Sequence, residues 1–206
     1  MTTYADMVNV MSYDLHGTWD GPKDQIGSIV LAHTNLTEIQ LAFDLFWRND
    51  IDPAKLNLGV GFYGRSYQLS SPSCSQPGCP FAGGADAGPC TQTSGILSYK
   101  EIMNIIDQNS ITPIWDETDA VKYITWDNDQ WVSFDDQETF QQKVKWANAN
   151  GIGGLSIWAI DQDTDDLQAL QGLLYPKSLN AFYDNTTDAS HWQQVQSGQC
   201  KCLPQE

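Results

Sequence analysis

A chain of 206 residues, 41% apolar and 11% aromatic by composition, can bury one substantial core but is too short for several domains of ordinary size. Ten basic against 26 acidic residues leave a formal charge of −16, which repels nucleic acid and anionic membrane surfaces and favours neutral or cationic partners. No run of about 18 apolar residues offers a membrane span, and Met1-Thr-Thr-Tyr lacks the basic start and apolar core of a secretory signal.

Asp6–Met11 is almost wholly apolar at its end, as expected of a strand covered on both faces. It runs into Tyr13 and Asp14, two polar groups where a parallel strand stops, and then into a loop over Gly17–Gly27. Thr37 opens a helix reaching about Asn49, with Leu36, Ile39, Ala42, Phe43 and Phe46 on one side and Pro53 beyond its end. Leu56–Arg65 reads as one strand whose three glycines permit close backbone approach. The Ser-, Pro-, Cys- and Gly-rich stretch that follows is too long for a turn, so something is inserted after this strand.

Ser98-Tyr-Lys-Glu101 is a capping box and predicts a short helix to about Asp107. Ile114–Trp131 alternates charged with β-branched or aromatic side chains, a pattern of antiparallel strands. Asp135-Asp136 caps a helix running to Asn150, Gly151-Ile-Gly-Gly ends it, and Leu155–Trp158 is again a strand. Leu167–Leu174 predicts a last helix, and the chain after Pro176 is polar, Gln-rich and weakly patterned.

Five cysteines, at positions 74, 79, 90, 200 and 202, suggest disulfides in preference to metal, since neither a C-x-x-C spacing nor nearby histidines accompany the first three. Cys74 is expected to pair with Cys79 or Cys90. The odd count leaves at least one thiol free, paired with another chain, or bonded to a cysteine outside this sequence. Asn35-Leu-Thr37 and Asn185-Thr-Thr187 are glycosylation sequons. Asp161–Asp166 spaces its acids like a calcium loop, but Asp166 stands where the loop needs glycine and Gly172 where it needs glutamate. These acids are read as a helix cap. His16, His33 and His191 carry no informative spacing and receive no catalytic role.

Ala5 to Asp20, Leu56 to Tyr67 and Gly153 to Asp166 resemble, in this order, the sixth, seventh and eighth barrel strands of family 18 glycoside hydrolases, the chitinases. The family's acid signature, Asp-x-x-Asp-x-Asp-x-Glu, occurs nowhere in the sequence. The resemblance implies an α/β fold: the C-terminal part of a (β/α)8 TIM barrel, which complete needs about 250 residues, with a small α+β insertion. The implied division is partial barrel over 1–65, insertion over 66–128, partial barrel over 129–176 and a polar, cysteine-containing tail over 177–206.

The resemblance also implies a mechanism without a protein nucleophile. The substrate's acetamido oxygen attacks its own anomeric carbon while a glutamic acid protonates the leaving oxygen, an exception to the two-carboxylate scheme. Tyr13 and Asp14 are the implied catalytic residues, Tyr13 orienting the acetamido carbonyl. Met11, Trp19, Arg65, Tyr67, Glu117 and Trp158 are implied to bind substrate: Trp158 as the plate under the reacting sugar, Trp19 one subsite on, and Met11 in the floor. No cofactor or metal is implied. The expected partners are chitin or N-acetylglucosamine oligosaccharides, with no nucleic acid and no membrane, and either the absent N-terminal half or a second copy meeting exposed strand edges. Sequons and cysteines point to an extracellular parent. Without the glutamic acid the chain alone is expected to be inactive, leaving an oligosaccharide-binding remnant or a product that does not fold independently as the alternatives.

Overall fold

Side-chain caps decide where the helices begin. The Asn35 side chain accepts the Glu38 N–H at 3.2 Å, and the Ser98 hydroxyl and Glu101 carboxylate accept one another's backbone N–H groups. In the computed structural model, which describes residues 4–23 and 25–177, the elements are β1 (Val8–Val10), α1 (Leu36–Trp47), β2 (Leu56–Gly61), β3 (Tyr63–Leu69), β4 (Phe81–Gly84), β5 (Ile96–Ser98), α2 (Tyr99–Asn109), β6 (Ile114–Asp116), β7 (Val121–Trp126), β8 (Gln130–Phe134), α3 (Gln137–Ala149), β9 (Gly154–Trp158) and α4 (Gln168–Leu174). The polar tail, Cys200, Cys202, His191 and the Asn185 sequon lie outside the described residues.

β1, β2 and β9 form a parallel sheet in that order, with Val8 opposite Leu56 and Gly61 opposite Trp158. Parallel neighbours need crossovers; α1 supplies one, and α3 returns the chain to β9. Leu36, Ile39 and Phe43 of α1 pack with Leu56, Leu58 and Ala147, and the Phe43 ring meets Trp146 edge-on at 5.3 Å.

The remaining strands make an antiparallel sheet, β4-β3-β8-β7-β6, with β5 also paired to β3. Neighbouring residues on one strand face opposite sides: Val132 and Ile124 join Phe62, Phe134, Phe140 and Ile102 on the side of α2 and α3, whereas Trp131 and Tyr123 join Tyr67 and Phe81 on the other. A Cys74–Cys79 disulfide closes the loop after β3, and Trp131 donates its indole N–H to the Ser75 carbonyl inside that loop.

Two strand readings are corrected. Leu56–Arg65 is two strands in different sheets: the Phe62 N–H bonds the Trp158 carbonyl while the Phe62 carbonyl accepts from Tyr99. An unbroken apolar run records burial, not which sheet does the burying. β1 is shorter than Asp6–Met11, limited to the three residues that pair with β2.

Asp135 and Lys143, both nearly inaccessible, form an ion pair that also receives the Thr34 hydroxyl and reaches the Ala120 carbonyl. Four chain segments thus meet at one buried charge pair. Lys143→Met strands the Asp135 carboxyl without its cation and is expected to lower the unfolding free energy by about 3–5 kcal/mol. Urea denaturation followed by tryptophan fluorescence measures this, and a loss below about 1 kcal/mol contradicts it.

Candidate active site

The parallel strands all point their C-terminal ends to one side, where enzymes of this architecture gather ligands. Just past β1, Ser12 extends the ladder with its side chain, its hydroxyl donating to the Gly59 carbonyl at 3.0 Å and accepting the Gly59 N–H at 2.9 Å. That bond holds the chain where Tyr13 and Asp14 turn off the sheet. A Cβ at Gly59 would stand 2.3 Å from the Val10 carbonyl oxygen and 3.0 Å from the Tyr13 ring; one at Gly61 would stand 3.0 Å from the Tyr63 ring. Both glycines are required for the tyrosines to lie against β2.

Asp14 is the hub. Its backbone is left-handed at φ 59°, a conformation aspartate tolerates better than most residues. Arg65 grips the carboxylate with two nitrogens at 2.8 and 2.7 Å, and the Tyr63 hydroxyl donates to it at 2.6 Å. Burial alone would push this carboxyl up; the His33, Arg65 and Tyr63 contacts and the Arg65 charge hold it well below the usual carboxylate range. The His33 ring stands 3.6 Å from the carboxylate, beyond hydrogen-bond reach, and its Nδ1 accepts the Asp14 amide while Nε2 faces the Tyr63 carbonyl at 3.2 Å. Arg65 and Tyr63 are therefore the partners that hold the charge. Asp14 stays ionised and serves to orient its neighbours, not to donate a proton.

Aromatic rings surround the hub. Tyr13 meets Tyr63 edge-on at 6.1 Å, and Tyr63 leans on His33 at 4.8 Å. Burial, and then the Asp14 charge, push the Tyr13 hydroxyl up, so it remains a donor. Burial raises Tyr63 likewise, reinforced by Asp14. The Arg65 guanidinium lies 4.8 Å over the Trp19 ring. Trp19, Met11 and Trp158 are open to solvent, Trp158 at 57% exposure where β9 ends.

Of the residues expected to form a site, Tyr13, Asp14, Trp19 and Arg65 are brought together, and Met11 and Trp158 share their end of the sheet. Arg65 gives two of its three nitrogens to Asp14. Tyr67 is corrected outright: it is fully buried between Phe81 and Trp131, its hydroxyl donating to the Leu31 carbonyl. Glu117 lies on the exposed turn after β6, its carbonyl taken by Gln142, and makes no hydrogen bond or ion pair with the Asp14 group among the described residues. Tyr63 and His33 were missed. Tyr63 shares a strand face with Arg65 at two-residue spacing, a usable signal; His33 carried none.

A family model described as glycosyl hydrolases family 18 matches residues 1–163. The chain is 32% identical over 170 residues to the secreted chitinase LysM12 of Penicillium expansum, covering 76% of this chain and 11% of that protein. Its fold superposes on the Group IV chitinase of Ostrinia furnacalis with a TM-score of 0.72 at 32% identity, covering 83% of this chain and 50% of that one. A class V chitinase mutant from Cycas revoluta, solved in complex with (GlcNAc)3, gives a TM-score of 0.69 at 31% identity, covering 82% of this chain and 46% of the other. The chain thus spans about half of these solved relatives and a smaller share of the fungal protein.

Because Asp14 has a folded pKa below that of an unfolded aspartate, about 3.9, its pairing stabilises the fold above that pH, and the benefit is lost as pH falls through the folded value. Arg65→Gln is expected to raise the Asp14 pKa and move acid unfolding to higher pH. Carboxyl carbon chemical shifts and circular dichroism across an acid titration measure the two effects; an unmoved Asp14 titration contradicts the assignment of Arg65 as its counter-ion.

Proposed function

The chain belongs to glycosyl hydrolases family 18, and from that premise we propose that it forms the sugar-binding and acetamide-orienting wall of a chitin-hydrolysing (β/α)8 barrel. In this reading β1, β2 and β9 are the sixth, seventh and eighth barrel strands, and the antiparallel sheet is the family's α+β insertion. The observation that carries it is the group of Tyr13, Asp14, Tyr63 and Arg65 at the C-terminal strand ends, beside an exposed Trp158.

Trp158 presents a flat apolar face to the axial C–H bonds of a pyranose. With the sugar held there, the Tyr13 hydroxyl donates to the acetamido carbonyl and aims its oxygen at the anomeric carbon, a positioning effect. Asp14, fixed by Arg65 and Tyr63, keeps a negative charge near the developing oxazolinium cation. Met11 forms floor, and Trp19 takes the next sugar. The proton for the leaving oxygen comes from a glutamic acid absent from this sequence, and such a group contributes roughly 10² to 10⁴ in rate. That absence favours a second reading for the isolated chain, an oligosaccharide-binding unit without turnover. The cysteines, the sequons and the secreted fungal relative support an extracellular parent.

The purified chain is expected to release no fluorophore from a chitotriose glycoside while its tryptophan fluorescence is quenched saturably by chitotriose. Trp158→Ala is expected to weaken that binding about tenfold, equivalent to about 1.4 kcal/mol. Turnover that disappears in Tyr13→Phe would place an acid within this chain; unchanged affinity in Trp158→Ala would remove Trp158 from the site.

A further inference from the structure

The turn carrying Trp19 is fastened by a histidine with a carboxylate at each ring nitrogen. His16 is 4% exposed; its Nδ1 lies 2.9 Å from Asp20, and its Nε2 lies 3.0 and 2.9 Å from the two oxygens of Glu38. A neutral imidazole has one N–H, so it would turn the lone pair of its other nitrogen toward a carboxylate oxygen. Both contacts are hydrogen bonds only when the ring is an imidazolium. Burial opposes that charge, but the hydrogen bonds His16 donates to Glu38 and Asp20, and then their charges, outweigh it and hold His16 above the ordinary histidine range.

The same groups frame the Trp19 ring. The Asp20 N–H bonds the Gly17 carbonyl at 3.0 Å, and the Gly17 N–H reaches the Asp20 carboxylate at 3.4 Å. Trp19 lies against Gly17 so closely that a Cβ there would fall 2.3 Å from the ring. Glu38 stands in the first turn of α1, its amide capped by Asn35, so the clamp ties this turn to a fixed helix. The charge of Asp20 is felt by the buried phenol of Tyr67 on β3, and that of Glu38 by Asp119 in the β6–β7 turn. The nearby Arg65 cation is engaged by Asp14.

We propose that His16, as an imidazolium bridging Asp20 and Glu38, is the positioning residue that sets the Trp19 ring, so that sugar stacking on Trp19 is strongest while His16 is charged. With its folded pKa raised, the clamp is complete below about pH 6.5 and is lost as pH rises through the higher folded value. Loss of the proton releases Glu38, whose side chain is 40% exposed, and the turn loses its anchor to α1. The consequence for sugar rests on the reading of Trp19 given above; the clamp itself does not.

Fluorotryptophan labelling of the full chain gives a fluorine spectrum in which the Trp19 signal is the one missing from Trp19→Phe. That signal is expected to move with pH at the midpoint of the His16 ring protons, above about 6.5. Glu38→Gln, at a half-exposed position, is expected to lower both midpoints together. A Trp19 signal that is flat across the His16 titration, or that ignores Glu38→Gln, overturns the proposal. Chitotriose titrations on either side of the midpoint are expected to show a several-fold rise in Kd on deprotonation that is absent in Trp19→Ala. Coupled midpoints with no chitotriose binding at either pH would overturn the sugar-binding function and leave the clamp established.

Discussion

The bidentate pair between Arg65 and Asp14 decides whether this chain has a site at all, because the two residues belong to different sheets. Asp14 follows β1 of the parallel sheet and Arg65 lies in β3 of the antiparallel one. The chain passes from the parallel to the antiparallel sheet through the single residue Phe62, which bonds to both sides, and returns from β8 to β9 through α3. An exposed ion pair is typically worth about 0–1 kcal/mol. This one is half-buried, doubly bonded, joined by the Tyr63 hydroxyl and roofed by Trp19. Its importance is geometric: it fixes the register of one sheet's loop against the other sheet's strand, and the rings of Tyr13, Tyr63 and Trp19 gather around it.

How far such an arrangement is readable in advance depends on whether the signal is local. The capping box at Ser98 and Glu101 needs four consecutive residues, and both of its hydrogen bonds form. The Cys74–Cys79 pairing stood among two expected alternatives and closes a short loop. The break at Phe62 carries no local signal, because Leu56–Arg65 is uniformly suited to a buried strand and only the partners change. Tyr67 failed for a related reason. Tyr63, Arg65 and Tyr67 share one face of β3 by two-residue spacing, but the pattern gives the face and not the depth. The segment around Leu31 and the ring of Phe81 cover Tyr67, and neither adjoins it in sequence.

The glycines of β2 lie between these cases. That Gly59 and Gly61 permit close approach was legible from their place in a strand, whereas what approaches was not. The rings of Tyr13 and Tyr63 do so, one from the loop after β1 and one from the start of β3. A side chain at either position would push a tyrosine away from the sheet and with it the hydroxyl that Asp14 or an acetamide would meet. The strand therefore trades its own packing for the placement of two rings above it.

Two buried histidines in one site end with opposite protonation, and the cause is the partner at each nitrogen. His33 faces a backbone carbonyl on one side and accepts a backbone N–H on the other, so it needs one proton, and burial holds it below the ordinary histidine value. His16 faces carboxylates on both sides and needs two. The linkage signs are opposite. His33, depressed in the fold, contributes stability that is complete above about pH 6.5 and is lost as pH falls through its folded value; His16, raised, contributes stability that is complete below about pH 6.5 and is lost as pH rises through its own. Both penalties begin near the ordinary histidine pKa and grow in opposite directions, one toward acid and the other toward alkali, so these two residues together favour the ordered Asp14 hub and Trp19 turn most in a band around that value.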